Sequence, residues 1–170
     1  MDIAVLGPLE VRTDTGQPVP VAGARLRTLL ILLAMDAGRT VPTARLVDGL
    51  WADEPPAAAA NALQALVSRL RRTVPDLVVE SSPTGYRLVL DPDRVDAHRF
   101  ARLVATGRDR LANDPAGAAA DLSAALRLWR GAALADAAAP DAVRARVARL
   151  EELRLAAARD RFAAELRLGG

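Results

Sequence analysis

The stretch PAAAANALQALVSRLRRTV, residues 56–74, decides the reading. At about 100° per residue, its apolar set Leu63, Leu66, Val67, Leu70 and Val74 falls within an arc of about 100°. The opposite face carries Asn61, Gln64, Ala65, Ser68 and Arg72, and Arg69 and Arg71 flank it on its two sides. No acidic residue occurs between Pro55 and Pro75. The spacing predicts a helix from about Pro56 to Val74 with one core side and one side of hydrogen-bond donors. Such a helix fits the major groove of B-DNA, where Arg, Asn and Gln pair with base edges. From Asn61 to Arg72 it spans about 16 Å, enough to cross one groove. The same pattern also suits an ordinary solvent face on an amphipathic helix.

The flanking sequence favours the first alternative. Leu77-Val78-Val79 and Tyr86 to Leu90 alternate as a β-hairpin with its tip at Ser81-Ser82-Pro83-Thr84-Gly85. A hairpin directly after such a helix can act as a wing on the neighbouring DNA backbone. Upstream, Leu26, Leu29, Leu30 and Leu33 mark a helix from Ala24 to Ala37, stopped by Gly38. Thr40 to Thr43 reads as a linker, with Thr43 capping a short helix from Ala44 to Trp51. Ala52 to Pro56 is a stiff loop. Residues 3–20, with Ile3, Val5, Leu9, Val11 and Val19 around two turns, read as a short β-meander. It has too few strands for a core of its own and must pack on something else.

From Val95 onward the pattern is entirely helical. Asp96 is placed as the cap of a helix with Phe100, Leu103, Val104 and Leu111 inward. Asn113-Asp114-Pro115 breaks it, and a second helix runs to about Trp129, before Gly131. Pro140 opens a long third helix to about Leu168, with Val143, Val147, Leu150, Leu153 and Ala157 in phase. Small Ala faces permit close helix packing, as in a tetratricopeptide unit or a generic bundle. The expected division is therefore 1–94, an α+β winged unit, and 95–170, an all-α unit.

Composition narrows the function classes. The chain has 170 residues, 51% apolar and 26% charged, which is globular rather than disordered. It has no Cys, excluding disulfides, thiolate metal sites and Cys nucleophiles. No apolar run is long enough to span a membrane, and Met1-Asp2 lacks a signal-peptide start, so a cytoplasmic location is expected. The net charge of +2 is too small to imply a nucleic-acid partner by itself. Residues 1–94 hold 10 Arg against 11 acids and residues 95–170 hold 13 against 10, so any DNA contact must rest on the local patch. All 23 basic residues are Arg, which a GC-rich genome explains as readily as selection for forked contacts does. Catalytic signals are weak. His98 is the single His and sits at a helix start, where a surface or capping role suits it. Asp91, Asp93 and Asp96 lack the Gly and terminal Glu of a calcium loop. No phosphate-binding glycine motif, metal-ligand cluster or nucleophile–base pair is found, so neither an enzyme nor a cofactor is expected.

Several segments, in order, carry a family resemblance. They are Leu6-Gly7-Pro8-Leu9-Glu10-Val11, then Leu50-Trp51-Ala52-Asp53-Glu54-Pro55-Pro56, then Val67 to Arg72 followed by Gly85-Tyr86-Arg87-Leu88. Val95-Asp96 with Phe100, Ala125 to Gly131 and Leu150 to Arg154 complete the series. Together they resemble the Streptomyces antibiotic regulatory protein family. The resemblance implies an OmpR-type winged helix-turn-helix followed by a tetratricopeptide-like bacterial transcriptional activation domain. It implies a nucleoid-associated transcriptional activator that binds promoter direct repeats, recruits RNA polymerase and controls secondary-metabolite genes, with the second domain supporting a homodimer.

By position, Arg69 matches the base-reading Arg of the recognition helix and Arg71 a phosphate contact. Arg72, Asn61, Gln64 and Ser68 are further DNA-facing candidates. The loop holding Trp51, Asp53, Glu54 and Pro55 matches the segment that meets polymerase or sigma factor. Related winged helices often place an Arg where this chain has Ser82, which moves wing readout to Thr84 and Arg87. Family members usually continue past Leu168-Gly169-Gly170, so the expectation is a truncated activation domain with impaired dimerisation. The competing reading is a helical interaction or sensor module whose winged helix binds protein instead of DNA.

Overall fold

The computed structural model describes residues 1–138 and 140–169. Strands β1 (Asp2–Ala4) and β2 (Glu10–Arg12) pair antiparallel, with Ile3 opposite Val11. The meander's expected third strand is reduced to a single bridge between Arg12 and Pro18. Helix α1 (Ala24–Met35) follows, with Leu26 and every residue from Thr28 to Ala34 buried. An amphipathic stripe alone would leave half of it wet. Burial all round marks it as the central element, covered on several sides.

Strand β3 (Thr40–Pro42) replaces the expected linker, and α2 (Thr43–Trp51) begins immediately after it. Thr43 makes no side-chain cap; instead its backbone N–H donates to the Thr84 carbonyl at 3.1 Å. Helix α3 (Ala59–Thr73) starts three residues later than the sequence pattern suggests. Leu63, Val67 and Leu70 are buried, and Leu66 is partly covered. Strands β4 (Val79–Ser81) and β5 (Gly85–Leu88) form the hairpin, two residues further along than expected on its first arm. The sheet order is β3-β5-β4, all antiparallel. Gly85 is required here. A Cβ on it would lie 1.9 Å from the Val41 carbonyl oxygen, so no other residue lets β3 and β5 approach.

A 3-10 turn at Pro92–Arg94 leads into α4 (Asp96–Arg110), α5 (Pro115–Leu126) and α6 (Asp141–Gly169). The Asp114 side chain caps α5 by accepting from the Gly117 N–H at 2.9 Å. Helix α5 packs between α4 and α6. Gly107 allows the α4–α5 contact, since a Cβ there would stand 2.7 Å from Leu122 Cγ. Ala118, Ala125, Ala157 and Ala164 line the same interior. Phe100 meets Trp129 edge-on, at 5.4 Å between ring centroids, and the Arg154 guanidinium lies 4.5 Å from the Trp129 ring centre.

The winged helix and the helical unit share one continuous core. Asp96, expected as a helix cap, does something else. Its buried carboxylate accepts from the Val5 and Leu6 N–H groups at 2.7 and 3.1 Å. Their carbonyls accept from Leu134 N–H at 2.8 Å and Arg130 N–H at 2.7 Å. All four backbone groups of Val5-Leu6 are thus satisfied by the helical unit, which obeys the rule that buried backbone groups must pair. Arg130 adds forked contacts to Glu10 and the Pro8 carbonyl, at 2.7 and 2.8 Å. His98 is half-buried, and its Nε2 lies 3.0 Å from the Ala34 carbonyl of α1, so it links the two units and does not cap its own helix. Arg146 of α6 pairs with Asp36 at 2.6 Å.

Candidate nucleic-acid interface

Helix α3 is anchored through Leu63, Val67 and Leu70, which fixes what its other side presents. Asn61, Gln64, Ser68, Arg69, Arg71 and Arg72 are all exposed. Among the described residues, the side chains of Asn61, Gln64, Ser68 and Arg72 have no hydrogen bond or ion pair holding them to the protein. Arg69 reaches only the Ala22 carbonyl, at 3.4 Å, a weak contact that a better acceptor can displace. No acid lies on the helix itself, and among the described residues Arg69, Arg71 and Arg72 make no ion pair, although Asp136 lines a cavity together with Arg69. The two arginines in its last turn also suit the negative end of the helix dipole.

Arg71 is placed differently from its neighbours. Its Nε and Nη2 both donate to the Val79 carbonyl, at 3.1 and 2.5 Å, and Nη2 also donates to Ser81 Oγ at 2.9 Å. The guanidinium faces the wing. On the wing itself, Arg87 is paired across the strands with Glu80 at 2.5 Å. Thr84 is exposed at the tip, with its hydroxyl 3.2 Å from Ser82 Oγ. Thr84 is therefore the less encumbered of the two wing candidates.

The α2–α3 loop stands at the other end of α3. Asp53, Glu54 and Pro55 are exposed, and the turn is closed by Glu54 N–H to the Trp51 carbonyl at 3.0 Å. Trp51 is only partly exposed, and the Arg25 guanidinium lies over its ring at 5.8 Å. Sequence reasoning missed Arg25. It shares with Arg69 and Arg72 a groove of about 550 Å³ beside Trp51 and Pro56, floored by Ala65 and Leu66. Nothing in the α1 period marks it, because its neighbours are set by how α2 and α3 cross α1. Among the described residues no cluster of His, Asp or Glu could hold a metal ion. None of the helices among the described residues is long and apolar enough to cross a membrane.

Comparison with known proteins agrees with this architecture. Residues 16–88 match the family described as transcriptional regulatory protein, C terminal, and residues 95–170 match the bacterial transcriptional activator domain. The chain is 40% identical over 178 residues to transcriptional regulator RedD of Streptomyces coelicolor, covering all of this chain and 51% of that protein. It is 35% identical to regulatory protein DnrI of Streptomyces peucetius, covering 99% of this chain and 66% of that one. The solved structure of EmbR from Mycobacterium tuberculosis, in complex with a low affinity phosphopeptide, superposes with a TM-score of 0.90 at 32% identity. That match covers 99% of this chain and 46% of EmbR. The chain thus spans between about half and two thirds of the length of these relatives.

The fold is that of a transcriptional regulator: an OmpR-type winged helix followed by a bacterial transcriptional activator domain. The chain belongs to the Streptomyces antibiotic regulatory protein family, a family of transcriptional regulators.

Proposed function

We propose that this chain is a sequence-specific transcriptional activator that lays α3 in the major groove of promoter DNA. The observation that carries the reading is the outer face of α3, where Asn61, Gln64, Ser68, Arg69 and Arg72 stand exposed on a helix that holds no acid. Arg69 is the base reader in this proposal, since its guanidinium has only one long contact to give up. Arg72 and Arg25 take phosphates, and Thr84 touches the backbone from the wing. Residues 1–94 do the DNA binding and residues 95–170 the activation. The exposed loop at Asp53, Glu54 and Pro55, with Trp51, meets RNA polymerase or its sigma factor. Two copies bind direct repeats near secondary-metabolite genes, in the nucleoid.

Selection of bound fragments from a random duplex pool tests this directly. A defined repeated site should emerge, and anisotropy should then show at least a thousandfold preference for it over unselected duplex, of the order typical for specific sites. Affinity should also fall linearly on a log–log plot against salt, as released counterions require. A pool that returns no preferred sequence contradicts the proposal and favours a protein-binding role for the winged helix.

A further inference from the structure

The wing is an edge. In the order β3-β5-β4, strand β4 has no strand partner on its outer side among the described residues. Val78 accepts from Val89 N–H and Ser82 exchanges both backbone bonds with Gly85, so these residues face β5. Side-by-side groups alternate along a strand, which turns the Val79 and Ser81 backbone outward to the open edge. An unpaired carbonyl there would be left to water. Arg71 takes it, with two donors of one planar guanidinium on the Val79 carbonyl and one on the Ser81 hydroxyl.

We propose that Arg71 is a positioning residue that fixes the angle between the recognition helix and the wing, and not a phosphate contact. It sits in the last turn of α3 and hydrogen-bonds directly to β4. Between α3 and β4 run only Val74 to Val78, and Val74, Leu77 and Val79 are buried on the core side, which leaves the outer edge of β4 to be bridged from the helix end. A rigid fork at that edge closes the gap. Helix and wing then meet a duplex as one body, so the groove contacts of Arg69 and the backbone contact of Thr84 fall in a fixed register. This rests on the reading that α3 and the wing bind DNA together.

Arg71→Met, Arg71→Lys and Ser81→Ala in the full chain test it. In the DNA-free protein, hydrogen exchange at the Ser82 and Val89 amides should quicken about tenfold in both Arg71 variants, as loss of a charged hydrogen bond predicts. A phosphate contact would leave those amides unchanged, and that result overturns the proposal. In anisotropy with a fragment selected by the wild-type protein, Arg71→Lys should lose specific affinity nearly as far as Arg71→Met, about tenfold. A phosphate site accepts Lys as a point charge, whereas the fork does not. Recovery of wild-type specific affinity by Lys therefore also overturns it. Ser81→Ala should weaken specific binding in the wild-type background and add nothing to Arg71→Met; additive losses contradict the strut. If the wild-type protein selects no fragment, the DNA reading fails while the exchange measurement still decides the strut.

Discussion

Asp96→Ala is the most informative perturbation of the fold. The Asp96 side chain accepts two backbone N–H groups from a segment some 90 residues away, and it does so inside the core. Removing it orphans both donors. Each buried, unpaired N–H costs about 1–3 kcal/mol, so the two together cost roughly 2–6 kcal/mol. Releasing a carboxylate from a desolvated site offsets part of that, and the net loss is about 2–4 kcal/mol. This is a large share of a typical domain's stability. Urea denaturation followed by fluorescence is well suited, because Trp51 lies in the winged helix and Trp129 in the helical unit. One shared core predicts a single transition in the wild-type chain and a midpoint lowered by that amount in Asp96→Ala. A loss below about 0.5 kcal/mol, the range of an ordinary surface change, would refute the latch. Two separated wild-type transitions would refute the single core.

Other consequences follow from the same contacts. Burial, outweighing the Val5 and Leu6 N–H donors and Arg130, pushes the Asp96 carboxyl above its usual value. A raised carboxyl contributes most stability when protonated and loses it as pH rises from the ordinary carboxylate value through the folded one. Asp14, held low chiefly by a hydrogen bond from the Met1 ammonium, works the opposite way and loses its contribution as pH falls. The difference in stability between wild type and Asp96→Asn, which cancels Asp14, should therefore shrink as pH rises toward neutrality; a difference that grows contradicts the assigned direction. Gly85→Ala should cost at least about 2 kcal/mol and loosen β3 from β5, since its methyl would overlap the Val41 carbonyl. Amide exchange across β3 reads this, and a neutral variant would mean that the strands do not sit so close.

How much of this was legible in the chain depends on how local each cause is. The stripe Leu63-Val67-Leu70 and the helices around Leu29-Leu33 and Phe100-Val104 follow from period alone, and the structure buries those residues. Strand β3 was invisible because three residues ending in Pro42 carry no period, and their partner β5 lies some 45 positions on. Asp96 looked like a cap because local rules favour Asp at a helix start. The unpaired N–H groups of Val5 and Leu6 won it instead, a demand no local pattern announces. The family segments also gain a physical reason. Gly7 to Glu10, Phe100, Trp129-Arg130 and Arg154 are scattered in sequence but meet in space, through the Arg130 fork, the Phe100–Trp129 contact and Arg154 over Trp129. At the candidate interface, the outward set of α3 could be projected from its inward set. Where Arg71 points could not, because that depends on how the wing lies against the helix end.

The central claim is that the outer face of α3 reads DNA sequence, and Arg69→Ala tests it most directly. Anisotropy with the selected fragment and with unselected duplex, at one salt concentration, should show specific binding weakened by about 1–3 kcal/mol while random binding changes far less. Equal losses on both duplexes would contradict the account, leaving Arg69 as no more than a point of positive charge.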